Sequence, residues 1–269
     1  MRRSRIAAYV SAAFLAAACA LGGAQAASAS NDLAAGGYVA LGDSYSSGVG
    51  SGSYTSESGD CKRSTLAYPQ LWASANSPSS FDFEACSGAR TGDVLANQLG
   101  GLGADTGLVS ISIGGNDAGF SDVMTTCVLS SDSGCLDRID EAVSYVDNTL
   151  PGALDQVYDA ISAGAPSAHV VVLGYPHFYK LDGDCVVGLS EAKRAAINSA
   201  SDEMNSVTKA RAAAHGFTFA DVTGNFSGHE ICSGDEWLHS LDWGDISDSY
   251  HPTAEGQSGG YLPALNGAV

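Results

Sequence analysis

Five apolar runs punctuate the chain, and small or polar residues follow each of them. The runs are YVALG (38–42), FDFEAC (81–86), LVSISIGG (108–115), HVVVLGYP (169–176) and FTFADV (217–222). The second alternates apolar and polar positions. The third is β-branched and ends in glycines, and the fourth is unbroken, the pattern of a strand covered on both faces. Between the runs the spacing becomes helical. YPQLWASAN (68–76) predicts one helix, and the stretch 137–164 a long one interrupted near Pro151-Gly152, where proline removes a backbone donor. The stretch 189–216 predicts another, with Ser190 as N-cap and Gly216 as C-cap. The tail HPTAEGQSGGYLPAL (251–265) reads as a short closing helix. Strands alternating with helices predict an α/β domain around a parallel sheet.

The chain has 269 residues, and its first 28 carry a different pattern. Arg2, Arg3 and Arg5 precede the apolar stretch IAAYVSAAFLAAACALGG, and small residues then offer cleavage after Ala26, Ala27 or Ala29. This is the layout of a secretory signal peptide, and the stretch is short for a membrane span. Cys19 is expected to leave with it. Residues 29–269 are expected to form one secreted, extracellular, monomeric domain, large enough for a sizeable core. No later segment is long and apolar enough to cross a bilayer, so stable membrane insertion is not expected. With 12 basic and 30 acidic residues the net charge is −18, and loss of the leader arginines makes it more negative. Such a surface repels nucleic acid and anionic membranes.

Without Cys19 six cysteines remain: Cys61, Cys86, Cys127, Cys135, Cys185 and Cys232. An even number in an exported chain argues for disulfides, with 15 pairings open. Joining sequential neighbours (61–86, 127–135, 185–232) is the simplest local choice. There is no Cys-x-x-Cys spacing for a metal and no leftover thiol for catalysis. The loop acids Asp182, Asp184, Asp235, Asp242 and Asp245 match no twelve-residue calcium loop and are expected to be solvated. No metal or organic cofactor is expected.

In open α/β sheets, sites gather beyond the carboxyl ends of the strands. The residues there are Asp43 and Ser44 after the first run, Ser87 and Gly88 after the second, and Gly114, Gly115, Asn116 and Asp117 after the third. Asp248 and His251 lie in the C-terminal loop. A serine hydroxyl needs a base to become a nucleophile, usually a histidine oriented through its other nitrogen. Charge developing on an attacked carbonyl oxygen needs fixed donors. Ser44, His251 and Asp248 can serve as nucleophile, base and orienting acid. The N–H groups of Ser44 and Gly88 and the Asn116 amide can serve as the donors. Asp43 is expected to brace the loop through local backbone bonds, and Asp117 to be structural.

GDSYSSG (42–48), Gly88 in ACSGART, GGND (114–117) and DSYH (248–251) together resemble the four blocks of the GDSL/SGNH hydrolases, in order and across the mature chain. GDSYSSGVGSGSY, SIGGNDAGF and SYHPTAEGQSGGYLP are most similar to secreted actinomycete lipases and phospholipases of that family. The resemblance implies a flavodoxin-like, three-layer α/β/α fold with a central parallel five-stranded sheet. It also implies hydrolysis of carboxylic esters through an acyl-enzyme, and it supports the neighbour pairing of cysteines. Some of the lipases resembled orient their histidine with a main-chain carbonyl two residues before it, here that of Ser249. Triad and dyad therefore both stay open. Ser46 breaks the G-x-S-x-G elbow of α/β-hydrolases.

His169 and His215 sit at element ends and read as structural, His177 as a loop residue, and His229 and His239 as solvated. Trp237 and Trp243 fit either core packing or a lipid-facing rim, and the segments 45–66 and 117–136 are expected as loops walling the pocket. The substrate expected is a lipid ester, acylglycerol or phospholipid. Two other functions fit the same residues: an esterase for acetylated sugars such as acetyl-xylan, or a thioesterase, and a non-catalytic secreted module binding lipid or glycan.

Overall fold

The computed structural model describes residues 36–269. The predicted leader, its cleavage site and Cys19 lie outside the described residues. Five strands, β1 (Gly37–Gly42), β2 (Phe81–Phe83), β3 (Thr106–Ser112), β4 (His169–Leu173) and β5 (Thr218–Ala220), form one sheet in the order β2-β1-β3-β4-β5. All four pairings are parallel, so this is the expected α/β architecture with a five-stranded parallel sheet. The strand order reverses between β1 and β3, whose ends meet at the Gly42–Ser112 pair. That switch point is where an open sheet leaves a crevice.

Among the described residues eight helices flank the sheet: α1 (Ser44–Ser47), α2 (Tyr68–Asn76), α3 (Thr91–Asn97), α4 (Phe120–Leu129), α5 (Asp132–Asn148), α6 (Leu150–Gly164), α7 (Glu191–Ala214) and α8 (Leu262–Ala268). α2 packs with α8, and α5, α6 and α7 pack together, so helices cover both faces. The central strands are buried, as the unbroken Val170–Leu173 run requires. The long helical stretch divides at Thr149, the shared boundary of α5 and α6, with Pro151 in the first turn of α6, where its missing N–H costs no hydrogen bond. Ser190 caps α7, its hydroxyl accepting the Lys193 N–H, and Gly216 follows its end with φ of +73°. Before α8 the chain makes a widened, π-helical turn, Gly256–Tyr261.

Two differences from the sequence reading bear on the site. Residues 120–129 and 132–136, expected within a loop, are helical, so the pocket wall there is a rigid hairpin closed by the Cys127–Cys135 disulfide. Every strand but β1 also ends earlier than its apolar run. Ile113 and Tyr175 continue the apolar pattern but turn inward as buried loop residues. The cysteines pair as neighbours, Cys61–Cys86, Cys127–Cys135 and Cys185–Cys232.

Candidate active site

β1 delivers the chain to a sharp turn. Gly42 has φ of +123°, and a Cβ there would stand 2.8 Å from the Ser46 hydroxyl, so only glycine fits. Asp43 then caps α1 by accepting the Tyr45 N–H at 3.0 Å, and Ser44 opens the helix. The Ser44 hydroxyl lies 2.8 Å from His251 Nε2, although 207 residues separate them. His251 Nδ1 lies 3.0 Å from the Ser249 carbonyl. A carbonyl only accepts, so Nδ1 carries the proton, and Nε2 is left as the acceptor for the serine O–H.

Of the two orienters open in the sequence, the structure places the Ser249 carbonyl on the imidazole. The Asp248 carboxylate faces elsewhere. It accepts the Tyr54 hydroxyl at 3.2 Å and lies 3.7 Å from Lys62 Nζ. Asp248 thus joins the histidine loop to the segment that carries Cys61.

Several groups hold His251 in place. Tyr250, at φ of +65°, occupies the left-handed region, strain that costs a non-glycine residue on the order of 1–3 kcal/mol. Its carbonyl accepts the Tyr45 hydroxyl at 2.6 Å, and its N–H donates to His239 at 2.9 Å. The His239 N–H in turn donates to the His251 carbonyl at 2.9 Å, and its ring nitrogen lies 2.8 Å from the Gly50 carbonyl. His239 is therefore half-buried and tethered in the histidine hairpin, rather than solvated. Burial lowers the His251 pKa to about 4. The Ser249 carbonyl and Asp248 raise it in opposition, while His239 and Lys62 lower it further. The imidazole is neutral at ordinary pH, as a base must be.

Gly88 and Asn116 line the same cavity as the Ser44–His251 pair. Gly88 takes φ of +76° on the loop that the Cys61–Cys86 disulfide anchors. Asn116 gives one amide N–H to the Ala89 carbonyl at 3.0 Å and keeps the other. Asp117 accepts the Thr91 N–H at 3.0 Å and the Thr91 hydroxyl at 2.5 Å, tying the Gly88 and Asn116 loops together. Among the described residues, neither the Ser44 nor the Gly88 N–H donates to a backbone carbonyl. Ser44, Gly88, Asn116 and His251 all line one cavity of about 450 Å³.

Two spaces open from Ser44. The first is that mouth, rimmed by Leu129, Trp243 and Ile246, which are 74%, 75% and 56% exposed. The second is a narrower pocket of about 90 Å³ running between α4, α5 and α7, lined by Val123, Met124, Ile139, Val146, Ile197 and Met204. Trp243 is thus a rim residue, whereas Trp237 stacks on His229 at 3.6 Å and packs against Phe226. His229 is covered by that stacking instead of solvated. His169, His177 and His215 contact Ala268, Asp202 and Asp155 respectively, away from Ser44. Among the described residues no three His, Cys, Asp or Glu side chains converge as a metal site.

Four supporting residues were not singled out in the sequence, Tyr45 and Gln257 although they lie inside its motif blocks. Gln98 brackets Gly42, accepting its N–H at 2.7 Å and donating to its carbonyl at 2.9 Å. Gln257 accepts the Tyr68 N–H and donates to the Tyr45 carbonyl. Tyr45 holds Tyr250, and Tyr175 donates to Asp43 at 2.5 Å. Only their long-range partners reveal them.

The arrangement has close relatives. The pattern of the GDSL-like lipase/acylhydrolase family matches residues 40–258. The chain is 68% identical to lipase 1 of Streptomyces coelicolor over the whole of both chains. It superposes on phospholipase A1 from Streptomyces albidoflavus NA297 with a TM-score of 0.86 and 65% identity, covering 87% of this chain and 100% of that one. An extracellular lipase from Streptomyces rimosus gives a TM-score of 0.85 and 64% identity, with the same coverage. A serine-histidine pair at the switch point of a five-stranded parallel sheet, with these matches across the chain, makes this protein a member of the GDSL-like lipase/acylhydrolase family.

Proposed function

We propose that the protein is a secreted lipolytic esterase that cleaves acylglycerols or phospholipids through an acyl-enzyme on Ser44. His251 Nε2 takes the Ser44 proton as the hydroxyl oxygen attacks the ester carbonyl. The Ser44 N–H, the Gly88 N–H and the free N–H of Asn116 hold the resulting oxyanion. His251 then gives its proton to the leaving alcohol and activates water to release the acid. The Ser249 carbonyl keeps Nδ1 protonated and its dipole stabilises the imidazolium, so Asp248 has no catalytic part.

The observation that carries the lipid reading is that one serine opens on two unequal spaces. A narrow apolar pocket suits an acyl chain, and a broad mouth with an exposed apolar rim suits a bulky leaving group and a lipid surface. An acetylated sugar would leave the apolar pocket empty, and a binding module would have no use for a serine O–H aimed at a neutral imidazole. Secretion rests on the leader-like first 28 residues and on the relative described as extracellular.

The test is a substrate panel of triglycerides of varied chain length, phosphatidylcholine and acetyl-xylan, with Ser44→Ala as control. Hydrolysis of the lipids, abolished in Ser44→Ala, together with fluorophosphonate labelling of Ser44, is expected. Cleavage of acetyl-xylan alone would overturn the lipid assignment, and an unlabelled Ser44 the mechanism.

A further inference from the structure

Asp43 is 1% exposed and sits directly beneath the nucleophile. Its partners are O–H and N–H donors, with no cation among the described residues to offset its charge: the Tyr45 N–H and Ser112 hydroxyl on Oδ1, at 3.0 and 2.8 Å, and the Tyr175 hydroxyl on Oδ2, at 2.5 Å. Burial is the main influence on its pKa, raising it to about 6 against the pull of these donors. Keeping a lone carboxylate in such a place is costly. Capping α1 does not require it, because asparagine caps as well as aspartate.

The second oxygen explains the choice. The Tyr175 hydroxyl that donates to Oδ2 also accepts the Gly115 N–H, at 3.2 Å. Gly115 immediately precedes Asn116. One carboxylate therefore grips the turn that presents the Ser44 N–H and, through one phenol, the turn that presents the Asn116 amide. Below it the network runs on through buried hydroxyls: Ser112 to Ser46 at 2.8 Å, Ser46 to Tyr68 at 2.9 Å, and Ser110 to Tyr38 at 2.7 Å. This base is fixed in the sheet.

We propose that Asp43 is a positioning residue for the oxyanion cradle, setting the spacing between the Ser44 and Asn116 donors through its paired bonds to Tyr45 N–H and the Tyr175 hydroxyl. The proposal rests on the Ser44, Gly88 and Asn116 assignment above. In Asp43→Asn the new amide keeps the Oδ1 bonds but presents N–H to Tyr175, whose hydroxyl then loses its acceptor, and the Gly115–Asn116 turn shifts.

The experiment compares Asp43→Asn, Tyr175→Phe and the double variant with a soluble short-chain p-nitrophenyl ester and with an alkyl boronic acid, whose tetrahedral serine adduct occupies the cradle. Asp43→Asn is expected to lower kcat about 10- to 100-fold, less than outright removal of a donor, with KM within about twofold. The boronic acid Ki should rise by a similar factor. Tyr175→Phe should show the same pattern, and the double variant no more loss than the worse single one. Near-normal kcat in Asp43→Asn, additive losses, or an unchanged boronic acid Ki alongside reduced kcat would each overturn the role. If Asp43→Asn does not fold, Tyr175→Phe decides by the same kcat and Ki readouts. Asn116→Ala separates the two levels. Its collapse alongside a normal Asp43→Asn leaves the cradle standing and removes only the positioning role, and a normal Asn116→Ala removes the cradle itself.

Discussion

Replacing Asp248 by asparagine or alanine asks which group orients the base. A carboxylate bound to Nδ1 would fix the tautomer and stabilise the imidazolium, and its loss would lower kcat about 10⁴-fold. Here Nδ1 donates to the Ser249 carbonyl at 3.0 Å, and that carbonyl remains in both variants. The Asp248 charge does raise the His251 pKa, so removing it makes the imidazole a slightly weaker base and moves the acid limb of activity down, not up. The expected change in kcat is within about fivefold, on the order of 1 kcal/mol. The larger effect falls on stability. The variants lose the Tyr54 hydroxyl bond and a half-exposed contact to Lys62. Those are worth about 0.5–1.5 kcal/mol and under about 1 kcal/mol. Tyr54 stays anchored through the Gly50 N–H at 2.9 Å, so the loop should not detach. Steady-state kinetics on a soluble p-nitrophenyl ester at two pH values, beside thermal unfolding, reads both effects. A loss of 10³-fold or more in folded protein would refute the carbonyl-oriented dyad.

Three further outcomes are expected. The kcat/KM–pH profile of the wild type should fall in two steps, a partial one near pH 6 as Asp43 gains its proton and a complete one near pH 4 as His251 does, with only the second in Asp43→Asn; one step near pH 6.5 would contradict both. In stability the signs oppose. Asp43, raised above its unfolded value, contributes stability that is present at low pH and lost as pH rises through about 6, whereas the His251 contribution, from a lowered pKa, is lost as pH falls from 6.5 through about 4. Asp43→Asn should therefore gain stability relative to the wild type as pH rises from 4 to 8, which denaturant titrations will show. Tyr45→Phe, which frees the Tyr250 carbonyl, should cost about 1–2 kcal/mol and lower kcat roughly tenfold by loosening His251; unchanged kinetics would show that the hairpin holds itself. Met204→Phe should fill the narrow pocket and shift preference toward shorter acyl esters by about tenfold per excluded methylene, measured across a p-nitrophenyl chain-length series; an unaltered profile would place the acyl chain elsewhere.

The local pattern carried most of the scaffold. All five apolar runs became strands, the central β1, β3 and β4 buried on both faces and the edge strands β2 and β5 only partly, and the order of blocks along the chain put Ser44, Gly88, Asn116 and His251 around one cavity. α2 matched its expected span because Pro69 sits in its first turn and Ser77 leaves in the left-handed region. α4 went unread since its β-branched Val123, Thr125 and Thr126 weaken the helical pattern, and packing against α5 and the Cys127–Cys135 link decides it. The orienter of His251 was ambiguous for a different reason. A carboxylate three residues before the ring and a carbonyl two before it are both within reach, and the choice falls to the Tyr250 backbone and to Tyr54 and Lys62, which claim the carboxylate. Tyr175 and Gln98 lie outside every block, and their contacts to Asp43 and Gly42 span 132 and 56 residues, which no spacing rule encodes.

Among the described residues, none of the three cystine links crosses the sheet. One fastens the turn presenting Gly88, one closes the hairpin walling the narrow apolar pocket, and one secures the approach to the histidine hairpin, with sequence separations of 25, 8 and 47. A reduced chain could thus assemble its strands while its mouth stayed loose. Oxidation of the three links therefore constrains the walls of the site rather than the strand pairing of the sheet.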